Sequence, residues 1–174
     1  MLPLYGFLGE GAVAFLSGFR WPQPRDGHPG AWVRAGMDAP PDVVRGVPVE
    51  QLPWWLDDEL WEVELDGSLV TSGRALAGDR ARLLRRIDAW TGEMAQQLVA
   101  ACERRVREAA REEYADDVVL YAEDAGRPAA AAAVAAYIAA HALAGGEKAA
   151  PGYAAEFERE RRWQVEWLKR HLQL

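Results

Sequence analysis

Between Leu60 and Asp66 the apolar Trp61, Val63 and Leu65 alternate with Glu62 and Glu64. That period of two predicts a strand with one buried and one solvated face. Asp66-Gly67 follows as a type I′ hairpin signal, so Ser68 to Leu76 is expected to run back as the partner strand. Arg82 to Ile87 reads as a third strand, with Leu83 and Ile87 on one face. Ahead of the hairpin, Leu52-Pro53-Trp54-Trp55-Leu56-Asp57-Asp58 predicts one or two helical turns. Pro53 is expected at the first helical position, with acidic residues after it. The stretches 21–30 and 37–42 carry prolines and glycines too densely for a regular element and predict irregular loops.

From Thr91 onward the period becomes helical. Thr91 is a good N-cap, and Met94, Leu98, Cys102, Val106 and Ala109 fall three or four apart along one apolar stripe. A second helix is expected over about 113–125, closed by Gly126, and a third from Pro128 to Leu143, stopped by Gly145-Gly146. A fourth runs from about Gly152 to Leu172. There Ala154, Phe157, Val165, Leu168 and Leu172 trace a core face, with Trp163 and Trp167 in a second stripe beside it. Eight of the ten prolines and five of the eight tryptophans precede residue 62, so the first half is made of strands, turns and loops. The expected fold class is α+β, in which a small antiparallel sheet and loops of the N-terminal half pack against about four C-terminal helices. The expected organisation is a single domain over 1–174, with a strand- and loop-rich half at 1–90 and a helical half at 91–174.

Composition narrows the classes. A chain of 174 residues, half of them apolar, can bury a core without disulfides or metals. Cys102 is the single cysteine, so no intrachain disulfide or multi-thiolate zinc site can form, and its place on a helical stripe makes it a small buried residue. The net charge of −7 is not polarised: residues 1–87 carry 9 basic and 12 acidic groups, and residues 88–174 carry 11 and 15. Nucleic acid is therefore disfavoured as a partner. No apolar run reaches membrane-spanning length, and the N-terminus lacks the marks of a secretory signal, so a cytoplasmic protein is expected.

No glycine-rich phosphate loop, nucleophile elbow or metal-spaced histidine pair is present, and no cofactor is implied. The acidic run Asp57-Asp58-Glu59, followed by Glu62 and Glu64, is the densest potential for proton transfer. Its expected place is nonetheless a solvated surface, and Asp58, among aromatic neighbours, is the best placed of the group for chemistry. His28, in a loop between Gly27 and Pro29, is a further candidate, because loops carry function more often than cores do. His141 is expected to be a hydrogen-bonded core or boundary residue. The aromatic crowding of the first half has two readings, a core filled by large rings or an aromatic-walled pocket. The pocket reading takes Trp54, Trp55, Trp61 and Trp21 as walls, with Arg20, Arg45 or His28 as polar contacts. Its product is a tryptophan-rich protein that binds a small molecule. A rival reading is a cofactor-independent tailoring or cyclising enzyme using Asp58, Asp57 or His28. A third is an interaction module that homodimerises through the last helix, where Tyr153, Trp163 and Trp167 are candidate interface residues.

Three segments, Gly18-Phe19-Arg20-Trp21-Pro22, Leu52 through Trp61, and Leu83-Leu84-Arg85-Arg86-Ile87-Asp88-Ala89-Trp90, resemble a family of uncharacterised actinobacterial proteins. In that family a Gly-aliphatic-His-Ala-Cys segment often precedes the Leu-Pro pair. The matching stretch here reads Arg45-Gly46-Val47-Pro48-Val49, without the His or the Cys, so the resemblance carries no catalytic residue into this chain.

Overall fold

The structure is a computed structural model that describes residues 3–109, 112–148 and 150–174. Two antiparallel sheets lie in the N-terminal half and helices in the C-terminal half, an α+β arrangement. The chain divides into two compact units, Met1–Trp90 and Thr91–Leu174, at the position where the sequence pattern changes period.

The first unit contains β1 (Leu4–Leu8), β2 (Val33–Arg34), β3 (Arg45–Gly46), β4 (Glu59–Asp66), β5 (Val70–Ser72), β6 (Ala75–Ala77) and β7 (Arg80–Arg86). One sheet has the order β1-β4-β7-β2 and the other β3-β6-β5. β4 is buried at Trp61, Val63 and Leu65, as its alternation requires. Its partner corrects the sequence reading: β7, not the stretch after Gly67, pairs with it, and β1 takes the other edge. The reason lies in the opposed charges. Asp66, Glu64 and Glu62 stand opposite Arg80, Arg82 and Arg85 in register, and each pair is joined, Arg82 to Glu64 at 2.6 Å and Arg85 to Glu62 at 2.7 Å. Pairs this exposed contribute only about 0.2–1 kcal/mol each, so they select register more than they add stability. The segment 70–72 offers only exposed residues, Val70, Thr71 and Ser72, and gives β4 nothing to bury. It turns away at Gly67 (φ +88°), where Ser68 N–H donates to Asp79 Oδ2 at 2.8 Å, and joins the second sheet.

Two short 3₁₀ segments complete the unit. Pro41–Val43 lies in a stretch expected to be wholly irregular. Val49–Trp54 replaces the helical turns expected around Pro53, with Pro48 at the N-cap and Pro53 inside. A 3₁₀ segment this short tolerates an internal proline because few of its N–H groups need a partner. The hydrophobic core gathers Leu4, Trp21, Val33, Trp61, Val63 and Leu83.

The second unit contains α1 (Gly92–Ala109), α2 (Glu112–Asp124), α3 (Pro128–Leu143) and α4 (Tyr153–Leu172). Thr91 Oγ1 accepts the Met94 N–H at 3.1 Å, capping α1. Gly126 (φ +70°) ends the segment after α2, and Gly145 and Gly146 (φ +94° and +73°) follow α3. α3 packs against all three other helices. Ala132, Ala135, Ala136, Ala139 and Ala140 are fully buried on it, and side chains this small let three neighbours approach one axis. No described helix is long and apolar enough to cross a membrane.

On α4 the buried set includes Phe157, Val165, Leu168 and Leu172, whereas Ala154, expected in that stripe, is exposed because it precedes the packed turns. Three polar residues share the buried face: Glu160, Arg161 and Gln164. Arg105 of α1 donates from Nε and Nη2 to the Glu160 carboxylate at 2.7–3.1 Å. Gln164 Nε2 donates to the Ala136 carbonyl at 2.8 Å, and its Oε1 accepts from Arg161 at 2.9 Å. Burial pushes the Glu160 carboxyl above the ordinary range, with the Arg105 guanidinium acting against it. Burial, reinforced by Glu160, also drives the Cys102 thiol far up, which leaves it an inert core residue.

Candidate functional site

The tryptophans of the first unit separate into two groups. Trp21 and Trp61 are 3% and 4% exposed and belong to the core, so neither is open to a ligand as the pocket reading requires. Trp21 stacks edge-on against Phe19, and Trp61 Nε1 donates to Glu59 Oε2 at 3.1 Å. Trp54 and Trp55 are half-buried at the end of the 3₁₀ segment and the residue after it. Each lies under a guanidinium: Arg74 stands 3.9 Å from the Trp54 ring centroid and Arg45 stands 4.5 Å from that of Trp55. Both arginines come from the second sheet, Arg45 from β3 and Arg74 from the turn between β5 and β6.

Among the described residues of this unit Arg45, Arg74, Arg80 and Arg82 stack on tryptophans, and their other partners tell them apart. Arg80 and Arg82 lie 4.6 and 4.5 Å from the Trp32 ring, but both are committed to Asp66 and Glu64 across the sheet. Trp32 is therefore a cover over a neutralised ladder. Among the described residues Arg74 donates to the neutral Gln51 Oε1, at 3.3 Å, and neither Arg74 nor Arg45 makes an ion pair. A guanidinium stacked on a ring keeps its in-plane N–H donors for a carboxylate or phosphate. The indole N–H of Trp55 is buried and has no hydrogen-bond partner among the described residues. A stranded buried donor costs about 1–3 kcal/mol, which an incoming acceptor would recover. The Trp21 N–H is stranded as well, but on a ring sealed in the core.

The remaining sequence candidates lie elsewhere. Arg20 donates from Nη1 to the Gly11 carbonyl at 3.3 Å. His28 is exposed in a turn closed by reciprocal backbone bonds with Arg25. The acidic run is not the solvated surface expected of it. Asp57 and Glu59 are 8% and 6% exposed, and Asp58 is partly buried. Asp57 Oδ1 accepts the Asp58 N–H at 2.9 Å, and the Asp57 carbonyl accepts Trp90 Nε1 at 2.7 Å. Glu59 accepts from the Gly11 and Ala12 N–H groups at 3.1 and 3.0 Å, from Trp61 and from Arg86. This carboxylate is buried because four donors converge on it, which makes it a clamp for the loop after β1. Glu62 and Glu64 are half-buried in the ion-pair ladder. His141 Nδ1 lies 3.0 Å from the Tyr153 hydroxyl, a hydrogen-bonded boundary residue as its position implies. Among the described residues no three His, Cys, Asp or Glu side chains come together where they would hold a metal ion.

Sequence reasoning named Trp54, Trp55 and Arg45 and missed Arg74. An arginine in a Gly-Arg turn carries no local mark that it will cover a tryptophan 20 residues earlier. No protein-family model, curated protein or solved structure matches the chain, so no family membership is shown.

Proposed function

We propose that the chain binds a small anionic molecule through its N-terminal unit. Arg45 and the Trp55 indole N–H are the principal contacts, with Arg74 and Trp54 beside them. The observation that carries this reading is the pairing at Trp55: a guanidinium with no ion pair among the described residues lies over a ring whose buried N–H has no acceptor among them. A carboxylate or phosphate at the edge of that stack would accept from both. The indole faces suit a flat organic body next to the anionic group. This site narrows the broader tryptophan-walled pocket to the two half-buried rings.

A thermal-shift screen of carboxylates and phosphate esters tests it. Compounds that raise the melting temperature of the wild type are expected to lose that effect in both Arg45→Gln and Trp55→Phe. Trp55→Phe alone is expected to leave the free protein as stable or slightly more so, because it deletes a stranded donor and keeps most of the ring. A set of hits whose stabilisation survives both substitutions would sink the proposal, as would a screen with no hits.

A further inference from the structure

The second unit carries a half-open cavity of about 370 Å³ along the facing sides of α1 and α4. Gln97, Ala101, Arg104 and Arg105 line it from α1, and Trp163, Trp167 and His171 from α4. The spacings of three, four and eight residues place each set on one helix face. The volume is at the lower end of the range for small-molecule sites.

The walls have a consistent chemistry. The Trp163 ring lies under the Arg105 guanidinium at 4.1 Å, and that guanidinium is held in place by the Glu160 carboxylate, which is 2% exposed. Glu160 occupies Nε and Nη2, and Nη1 has no hydrogen-bond partner among the described residues. The Trp167 ring stacks on His171 at 3.9 Å between centroids, with the planes 19° apart. His171 Nδ1 is 2.7 Å from the Trp167 carbonyl, which can only accept, so Nδ1 carries the proton and Nε2 stays open. Arg104 is exposed and makes no ion pair among the described residues. No carboxylate lines the cavity, although the chain as a whole carries a net charge of −7.

We infer that this cavity is a binding site for a small aromatic anion: a ring system lying against Trp163 and Trp167, with its carboxylate or sulfonate drawn to Arg104 and the free edge of Arg105. Glu160 is the positioning residue. It neutralises one arginine and fixes its plane, so the excess charge in the cavity is that of Arg104. This site is separate from the one on the N-terminal unit and does not depend on it.

The test uses the full-length chain and two fluorescent probes that share a ring system: 1-anilinonaphthalene-8-sulfonate, an aromatic anion, and the uncharged N-phenyl-1-naphthylamine. In a Trp55→Phe background, which disables the N-terminal site, the sulfonate is expected to bind at one saturable site, and the other variants are made in that background. Arg104→Gln should weaken it by roughly tenfold, and Ala101→Leu, which adds bulk to the lining on α1, should abolish it. The neutral probe should bind more weakly and be unmoved by Arg104→Gln. Sulfonate held by Arg45 and Trp55 is absent from that background, so a failure of the α1–α4 site and a failure of the N-terminal site are read separately. Unchanged circular dichroism of each variant guards against misfolding. The inference is overturned if the sulfonate does not bind up to millimolar concentration, if both probes respond alike to Arg104→Gln, or if Ala101→Leu leaves binding intact. Sedimentation as a dimer whose dissociation, rather than the anion, governs access to Trp163 and Trp167 would equally overturn it, because α4 would then be an interface between copies of the chain.

Discussion

Glu59 offers the sharpest stability prediction in the molecule. Replacing it with alanine removes the acceptor for four donors at once. The Ala12 N–H and Trp61 Nε1 are buried, and leaving each unpaired costs about 1–3 kcal/mol. The Gly11 N–H and Arg86 are partly or half exposed and add little, on the order of 1 kcal/mol together. The total is about 3–7 kcal/mol, and its lower part coincides with the roughly 3–5 kcal/mol expected when one partner of a buried charge pair is deleted. The carboxylate also holds Ala12 at φ +59°, a left-handed conformation that opposes a non-glycine residue by about 1–2 kcal/mol. Without the clamp the loop after β1 has reason to leave that geometry. Glu59→Gln keeps the shape and one good acceptor but sets an amide N–H against a backbone N–H, so about half the loss is expected. Urea denaturation followed by tryptophan emission should place the Glu59→Ala midpoint about 2 M below the wild type. Hydrogen exchange at the Ala12 amide should accelerate in both variants. A Glu59→Ala midpoint within about 0.3 M of the wild type, or an Ala12 amide that stays protected, would refute the clamp.

Asp38 is held at about 2, well below its usual value, chiefly by its hydrogen bond to Arg34 and then by the backbone N–H of the same residue. A lowered carboxyl stabilises the fold above its unfolded value of 3.8 and loses that contribution as the pH falls through about 2. A carboxyl-carbon NMR titration should place the Asp38 midpoint there, and Arg34→Gln should return it toward the ordinary range. Glu160 is shifted the other way, raised by burial against the pull of Arg105, so its contribution is full below the unfolded value and is lost as pH rises through the folded one. Glu160→Gln should therefore flatten the decline of stability with pH just above 4.5, measured by urea midpoints across that window. At Gly30, whose N–H donates to the Leu83 carbonyl at 2.8 Å, a Cβ would collide with the backbone carbonyl of Pro22. Gly30→Ala should lower stability by about 1–3 kcal/mol in a thermal or urea melt, because backbone on both sides prevents easy relief.

Local signals were legible where a local cause decides the structure. Pro128 at the start of α3 and Gly145-Gly146 after its end mark that helix in the sequence as they do in the fold. The alternation around Trp61, Val63 and Leu65 likewise gives β4. The return strand after Gly67 was misplaced because a turn signal says that the chain reverses, not which strand it will pair with. That choice rests on Arg80, Arg82 and Arg85 meeting Asp66, Glu64 and Glu62, a match visible only once the register is known. Glu160 and Gln164 were missed although a trace existed. They fall at helical spacing between Phe157 and Leu168, on the stripe that apolar residues define. Polar residues inside such a stripe are buried when partners exist, and Arg105 and the Ala136 carbonyl are the partners. The tryptophans were the hardest case. Trp61 and Trp55 are one residue type in one neighbourhood, and only the fold puts the first in the core and the second beneath Arg45.

The indole N–H resonance of Trp55 tests the proposed function most directly. Trp55→Phe identifies it among the eight indole signals of a proton–nitrogen correlation spectrum. On titration with an anionic hit from the stability screen, the account predicts that this resonance moves downfield and becomes protected from solvent exchange as it gains an acceptor. It predicts that the Arg45→Gln protein shows neither change. Binding that shifts other indole signals and leaves that of Trp55 in place would contradict it.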